Sequence, residues 1–253
     1  MTVGKGMEGA EWKLVWADEF EDVGVPDREK WKPEVGMLRN NELQFYTENR
    51  RENARVEGGM LVLEARKEAW EKAGYTSASL TTAGKASWTY GRFEIRARIP
   101  GGRGMWPAIW MLGDAIGVKG WPACGEIDIM ENVGYDHDHI FCTAHTKSYN
   151  HVLGTQRGGS IDVKNPSADF HVYAVDWTPR EIVFRFDGRE VYRFANEDKG
   201  EDAWPFDRPH YLILNIAVGG GWGGQKGVDD SVFPRKMLVD YVRVYQQAPG
   251  IQR

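Results

Sequence analysis

Apolar and polar residues alternate with period two along much of this chain, and that alternation restricts it to a fold assembled from half-buried strands. The clearest stretch, Gly91-Arg92-Phe93-Glu94-Ile95-Arg96-Ala97-Arg98-Ile99 before Pro100, puts Phe93, Ile95 and Ala97 on one face and charged side chains on the other. Residues 60–66 repeat the pattern. Residues 182–186 and 190–194 flank Asp187-Gly188-Arg189, so the Asp-Gly pair predicts a hairpin between antiparallel strands. Further strands are expected at 172–177, 211–217 and 238–245. No segment sustains a helical period, and neither an internal repeat nor a composition break marks a linker. Short strands separated by Gly, Pro, Asn and Asp turns predict an all-β chain, an antiparallel β-sandwich. Although 253 residues is long for one unit, sandwiches of this length are common, so residues 1–253 read as a single domain.

Composition narrows the function. Eleven Trp, 10 Tyr and 10 Phe beside 30 Gly suit strands, tight turns and flat apolar contact surfaces. The formal charge is −5, the wrong sign for a protein that must neutralise many phosphates, so nucleic acid is excluded as a partner. There is no run of 18 apolar residues, which excludes a membrane-spanning helix, and residues 1–12 contain no signal-peptide core. Cys124 and Cys142 make no disulfide framework and lack zinc-site spacing; their strand parities argue against a mutual bridge. The mixed-charge run at 48–52 reads as a surface loop.

The chemistry concentrates in Gly125-Glu126-Ile127-Asp128-Ile129-Met130-Glu131-Asn132. On a regular strand Glu126 and Asp128 share one face while Ile127 and Ile129 enter the core, and Glu131 falls on the wrong side. A β-bulge near Ile129 or Met130 would return Glu131 to the face of the other two and keep the apolar residues sheltered. Four strand steps separate the two glutamates by roughly 13 Å of backbone, and long side chains on a concave sheet can bring their carboxyls together. A retaining glycosidase needs carboxyls ~5–5.5 Å apart and an inverting one ~6.5–9.5 Å. Crowding three carboxylates raises at least one proton affinity, so one glutamate can serve as an acid near neutral pH. A single glutamate on a strand is ordinarily a solvated residue. Three on one face repel one another, which points to a site. EF-hand calcium spacing is absent, and Asp136-His137-Asp138-His139 reads as a solvated turn between strands rather than a transition-metal site.

These residues, with Trp16-Ala17-Asp18-Glu19-Phe20, Asn40-Asn41-Glu42-Leu43-Gln44-Phe45-Tyr46-Thr47, Trp106-Pro107-Ala108-Ile109-Trp110-Met111-Leu112, Thr143-Ala144-His145, Asn215-Ile216-Ala217-Val218-Gly219-Gly220 and Val239-Asp240-Tyr241-Val242-Arg243-Val244-Tyr245, resemble glycoside hydrolase family 16 nearly end to end, specifically its laminarinase-like endo-β-1,3-glucanases. The resemblance implies a β-jelly roll with a concave substrate cleft and retaining hydrolysis. It makes Glu126 the nucleophile, Glu131 the acid/base and Asp128 the group that tunes the nucleophile and its proton. The bulged spacing resembles the laminarinase and agarase branch, which implies laminarin-type β-1,3-glucan as substrate and mixed-linkage glucan as a second. The resemblance also implies a structural calcium held at Glu19, Gly59 and Asp240, with no cofactor for catalysis, and His145 pointing into the cleft on the leaving-group side.

Around that frame, Trp106 and Trp110 are four apart and share a strand face where rings can stack on sugars. Trp222 stands in the glycine loop 219–224, which allows close backbone approach and lacks the Lys-Ser or Lys-Thr of a phosphate loop. Trp121 is a further sugar platform, and Asn41, Arg92 and Gln225 are candidate donors to sugar hydroxyls. The expected partner is a β-glucan polysaccharide, met by a monomer. A polymer too large to enter cells implies a secreted protein. The competing reading is a sugar-binding jelly roll without catalysis.

Overall fold

The computed structural model describes residues 12–247. Its strands are, in chain order, β1 (Trp12–Asp18), β2 (Lys32–Pro33), β3 (Gln44–Tyr46), β4 (Ala54–Glu57), β5 (Met60–Trp70), β6 (Ala73–Ser77), β7 (Ser79–Thr81), β8 (Gly91–Arg98) and β9 (Met105–Gly113). After the four-residue helix α1 (Ile116–Lys119) come β10 (Glu126–Glu131), β11 (His139–His145), β12 (Arg157–Asp162), β13 (His171–Trp177), β14 (Glu181–Phe186), β15 (Arg189–Ala195), β16 (His210–Val218) and β17 (Arg235–Gln247).

The strands sort into two sheets. Seven form the order β12-β11-β10-β9-β16-β7-β2; the other ten include the path β15-β14-β13-β8-β17-β5-β6-β3. Pairing is antiparallel except between β3 and β6. The expected hairpin joins β14 to β15, with Asp187 at φ 46° and Gly188 at φ 77°, the positive pair a two-residue primed turn requires.

The inner faces of both sheets meet in one core. Phe93, Ile95 and Ala97 of β8 and Val242 and Val244 of β17 join Ile109 and Met111 of β9, Ile127 of β10 and Leu212, Leu214 and Ile216 of β16. Each large side chain buried there contributes roughly 1.5–3 kcal/mol of transfer free energy. A smaller cluster, Ala108, Trp110, Leu112, Cys124 and Ile213, lies on the other face of the seven-stranded sheet. Cys142 belongs to the main core and Cys124 to this second cluster, so the two thiols occupy opposite faces of one sheet and are both free.

Two expectations need correction. Arg92 lies in the ten-stranded sheet, not beside the carboxylates. Since Phe93 and Ile95 point inward, Arg92 points outward, and its guanidinium is taken bidentately by Asp176 through Nε at 2.6 Å and an Nη at 3.0 Å. The loop at 48–52 is a loop, but Arg50 is half-buried, forking onto Glu68 and donating to Asn53 and Thr76.

Candidate active site

The carboxylate strand carries the bulge its parity demanded. Against β9 the register moves from Asp128↔Trp110 to Met130↔Ile109, and against β11 from Asp128↔Thr143 to Glu131↔Phe141, so β10 holds one residue more than either neighbour. Ile127, Ile129 and Met130 all stay in the core. Glu126, Asp128 and Glu131 therefore share the outer face of the seven-stranded sheet, as a single extra residue restores the alternation. Just before the strand, Gly125 has φ 86°, and a Cβ there would meet Nε2 of the buried His210 and Cγ of Pro205, each at 2.9 Å. Only glycine lets the chain enter β10 that closely.

Each carboxylate has its own surroundings. Glu126 stands opposite His145 across the β10–β11 pair and accepts the indole N–H of Trp121 at 3.1 Å. Glu131 accepts the indole N–H of Trp106 at 3.0 Å. Asp128, 3% exposed, is the most enclosed: its Oδ2 lies 3.3 Å from Nε2 of His145 without the alignment of a hydrogen bond. The same imidazole nitrogen is 3.8 Å from Oε1 of Glu126. Glu126, Asp128 and His145 offer ligand atoms all within 4.8 Å of one another, close enough to hold a metal ion.

The electrostatics follow from burial and crowding. Burial first, then the Asp128 charge, pushes Glu126 well above the usual carboxylate range, and burial alone does the same to Asp128. Glu131 rises to about 8, through burial and the Asp128 charge, against the Trp106 donor and His145, which favour its ionised form. At neutral pH the three carboxyls therefore retain protons among them, and Glu131 is a carboxylic acid able to donate.

The aromatic residues divide. Trp106 and Trp222 meet edge-to-face at 5.6 Å, and Phe141 packs edge-on against Trp222 at 5.2 Å, walling the Glu131 end. Trp121, 36% exposed, walls the Glu126 end with His151 tilted against it at 4.9 Å. Trp110 is on the expected face but is no sugar platform. It is only 7% exposed, the Arg39 guanidinium covers its ring at 4.9 Å, and its N–H is committed to Asn215 at 2.8 Å. His145 stands at the Glu126–Asp128 end, whereas Glu131 pairs across to Phe141. Asn41 is exposed in a turn at φ 53°, and Gln225 accepts from the Tyr135 hydroxyl at 3.1 Å and donates to the carbonyl of Gly221 in the glycine loop. Phe141 was findable from sequence, being four residues before His145 and hence on its face. His151 sits in a loop, where periodicity carries no signal.

The residues expected to hold calcium are placed differently from the active face. Both oxygens of Glu19 accept from Arg243, at 2.8 and 2.9 Å, and Oδ2 of Asp240 accepts from Arg96 at 2.6 Å, while Gly59 is in the β4–β5 turn. In the acidic turn, His137 contacts Asn132 and Ser167 through its two ring nitrogens, and His139 contacts Asp136 and Asp162. Both imidazoles are thus taken by protein partners, so the segment is more ordered than the solvated turn expected, and His139 opens β11.

The model of the family "Glycosyl hydrolases family 16" matches residues 41–243. Over 244 residues the chain is 60% identical to a beta-glucanase of Rhodothermus marinus, covering 93% of this chain and 85% of that protein. It is 39% identical over 235 residues to a glucan endo-1,3-beta-glucosidase of Cryptopygus antarcticus, covering 87% and 85%. Among solved structures, the laminarinase from Rhodothermus marinus matches with a TM-score of 0.92 at 57% identity, covering 94% of this chain and 99% of that one, so the two sheets are the jelly roll that the resemblance implied. With that match, a family model spanning most of the chain and a carboxylate strand built as described, the chain belongs to glycosyl hydrolases family 16.

Proposed function

We propose that this chain is a retaining endo-β-1,3-glucanase acting on laminarin-type glucans, with mixed-linkage β-1,3-1,4-glucan as a second substrate. One observation carries the reading: the extra residue at Ile129–Met130 that brings Glu131 onto the face of Glu126 and Asp128. The similarity to a beta-glucanase, a glucan endo-1,3-beta-glucosidase and an endo-1,3-1,4-beta-glycanase supports the substrate class.

In this mechanism the Glu126 carboxylate attacks the anomeric carbon, while Glu131 gives its proton to the glycosidic oxygen as the carbon–oxygen bond breaks. A glycosyl ester on Glu126 results. Glu131, now ionised, takes a proton from water, the water oxygen bonds to the anomeric carbon, and Glu126 leaves as carboxylate with the configuration retained. The Trp121 N–H and the nearby His145 Nε2 favour charge on Glu126, and the enclosed Asp128 beside it tunes the nucleophile and its proton. Trp106, Trp121 and Trp222 supply flat surfaces for sugar rings, with Asn41 and Gln225 as hydroxyl partners. A binding module without catalysis would leave three mutually repelling carboxyls with no task.

The domain acts as one unit over residues 1–253, as a monomer, outside the cell where the polymer is. A structural calcium would take the carbonyl oxygens of Glu19 and Gly59 and the second carboxylate oxygen of Asp240. The Glu19 side chain is committed to Arg243 and one Asp240 oxygen to Arg96, which leaves those oxygens to the ion. Thermal unfolding with calcium or a chelator tests it, and an unchanged Tm would remove the site.

The deciding experiment is digestion of laminarin, curdlan, lichenan, agarose and carboxymethylcellulose with product sizing and proton NMR of the first-formed anomer. New β-anomeric reducing ends from laminarin are expected, lost by roughly 10³-fold or more in Glu126→Gln and Glu131→Gln with folding intact. Near-normal turnover in either variant overturns the assignment.

A further inference from the structure

Glu42 takes no part in this chemistry, yet its carboxylate is buried, 5% exposed, between the turn at Asn40–Asn41 and the glycine loop 219–224. Three donors converge on it. Nδ2 of Asn40 reaches Oε1 at 3.2 Å, and Nε2 of Gln44 and the Tyr46 hydroxyl reach Oε2 at 2.6 and 3.2 Å. A shell made only of donors suits an ionised carboxylate, whereas an amide in its place would turn an N–H toward another donor.

Contacts leave Glu42 in two directions. Toward the sheet floor, the Tyr46 hydroxyl accepts from Asn215 at 3.0 Å, and Asn215 in turn accepts the Trp110 indole N–H at 2.8 Å. Toward the loop, Glu42 bridges Gly219, and the carbonyl of Asn40 accepts from the Gly221 N–H at 2.8 Å. At Gly220, φ 76°, a Cβ would stand 3.0 Å from Cγ of Glu42 and 3.1 Å from the Asn40 carbonyl oxygen, so the loop is seated directly on the glutamate. Trp222 comes two residues later, braced against Trp106 and Phe141.

We infer that Glu42 is a positioning residue whose charged carboxylate clamps the Asn40–Asn41 turn and the glycine loop onto the sheet, setting where Asn41 and Trp222 meet the glucan chain. Hydrogen bonds to an ionised acceptor are roughly twice as strong as neutral ones, which is the physical reason for a charge where the Asn40, Gln44 and Tyr46 donors converge: they fix the Asn40 backbone, whose carbonyl holds the glycine loop, and the Tyr46 hydroxyl, which accepts from Asn215 in the sheet. The inference rests on the glucanase reading of the cleft and deepens it on the side of substrate recognition.

The test is Glu42→Gln, which keeps the shape and removes the charge. KM for laminarin should rise about tenfold with kcat within about threefold of wild type, because the clamp acts on binding and not on the reacting atoms. A folded Glu42→Gln variant with unchanged KM overturns the inference, as does a fall in kcat at unchanged KM. If that variant fails to fold, Asn40→Gly decides: it deletes one donor at a position already at φ 55°. A KM about threefold higher supports the clamp, and an unchanged KM overturns it. Should wild type release no reducing ends from any glucan, the hydrolase reading falls by itself, and laminarin affinity by gel retardation then reads the clamp. Equal retardation of wild type and Glu42→Gln overturns it.

Discussion

The indole nitrogen of Trp106 stands 3.0 Å from Oε1 of Glu131, on the strand next to β10, and donates its proton to that carboxyl. A donor to the charged form lowers a carboxyl pKa, so this contact holds Glu131 down against the burial that lifts it to about 8. Trp106→Phe keeps a ring and deletes the donor. The alkaline limb of kcat/KM, where the general acid loses its proton, should move upward by roughly half to one pH unit. A limb that stays in place or moves down would separate the indole from the acid's titration.

Charge within the carboxyl group also leaves a mark on stability. Glu131 keeps its proton to about 8 in the folded chain, against 4.5 for an ordinary glutamic acid. The folded state thus binds more protons than the unfolded state between those values. The stability linked to this proton is complete below about 4.5 and is lost as pH rises through about 8. Glu131→Gln removes the titration. Its Tm should exceed wild type by roughly 2–6 °C near pH 8.5, about 1–2 kcal/mol, with the gap closing near pH 4. A gap of equal size at both pH values would mean that packing, not charge, is responsible.

Arg92 provides the contrast. Its guanidinium forks onto Asp176 in the ten-stranded sheet, and Arg185 reaches the same carboxylate at 2.8 Å. Arg92→Ala should lower Tm by roughly 2–4 °C, about 1 kcal/mol, and leave KM for laminarin unaltered. A raised KM would return this residue to the binding surface.

Cys124 and Cys142 are buried on opposite faces of the seven-stranded sheet, 1% and 3% exposed, and burial lifts their thiols to about 11 and about 12. Ellman's reagent should find no reactive thiol in the folded protein and two after denaturation without reductant. Fewer than two in the denatured chain would indicate a bridge.

Much of the fold and the heart of the site were legible in the residue order. Period-two alternation located β5 and β8, strand-forming runs located β13, β14, β15, β16 and β17, and Asp187-Gly188 located a hairpin, because side-chain direction on a strand and positive φ in a tight turn are local properties. The bulge was legible too: Glu126, Asp128 and Glu131 can share a face only if one residue is added between Asp128 and Glu131, and the apolar Ile129 and Met130 accept that addition without leaving the core.

What the order could not contain was the company each face keeps. Arg92 alternates as cleanly as Trp106, yet one strand pairs with β13 and β17 and the other with β10 and β16. Trp110 points where expected, but Arg39, 71 residues earlier, covers it. Glu42 reads as one more turn glutamate until the glycine loop closes over it. Parity assigns a side chain to one of two sides of its own strand. Which sheet that strand joins, and which distant segment covers the side it faces, depend on long-range pairing and packing that no local period encodes.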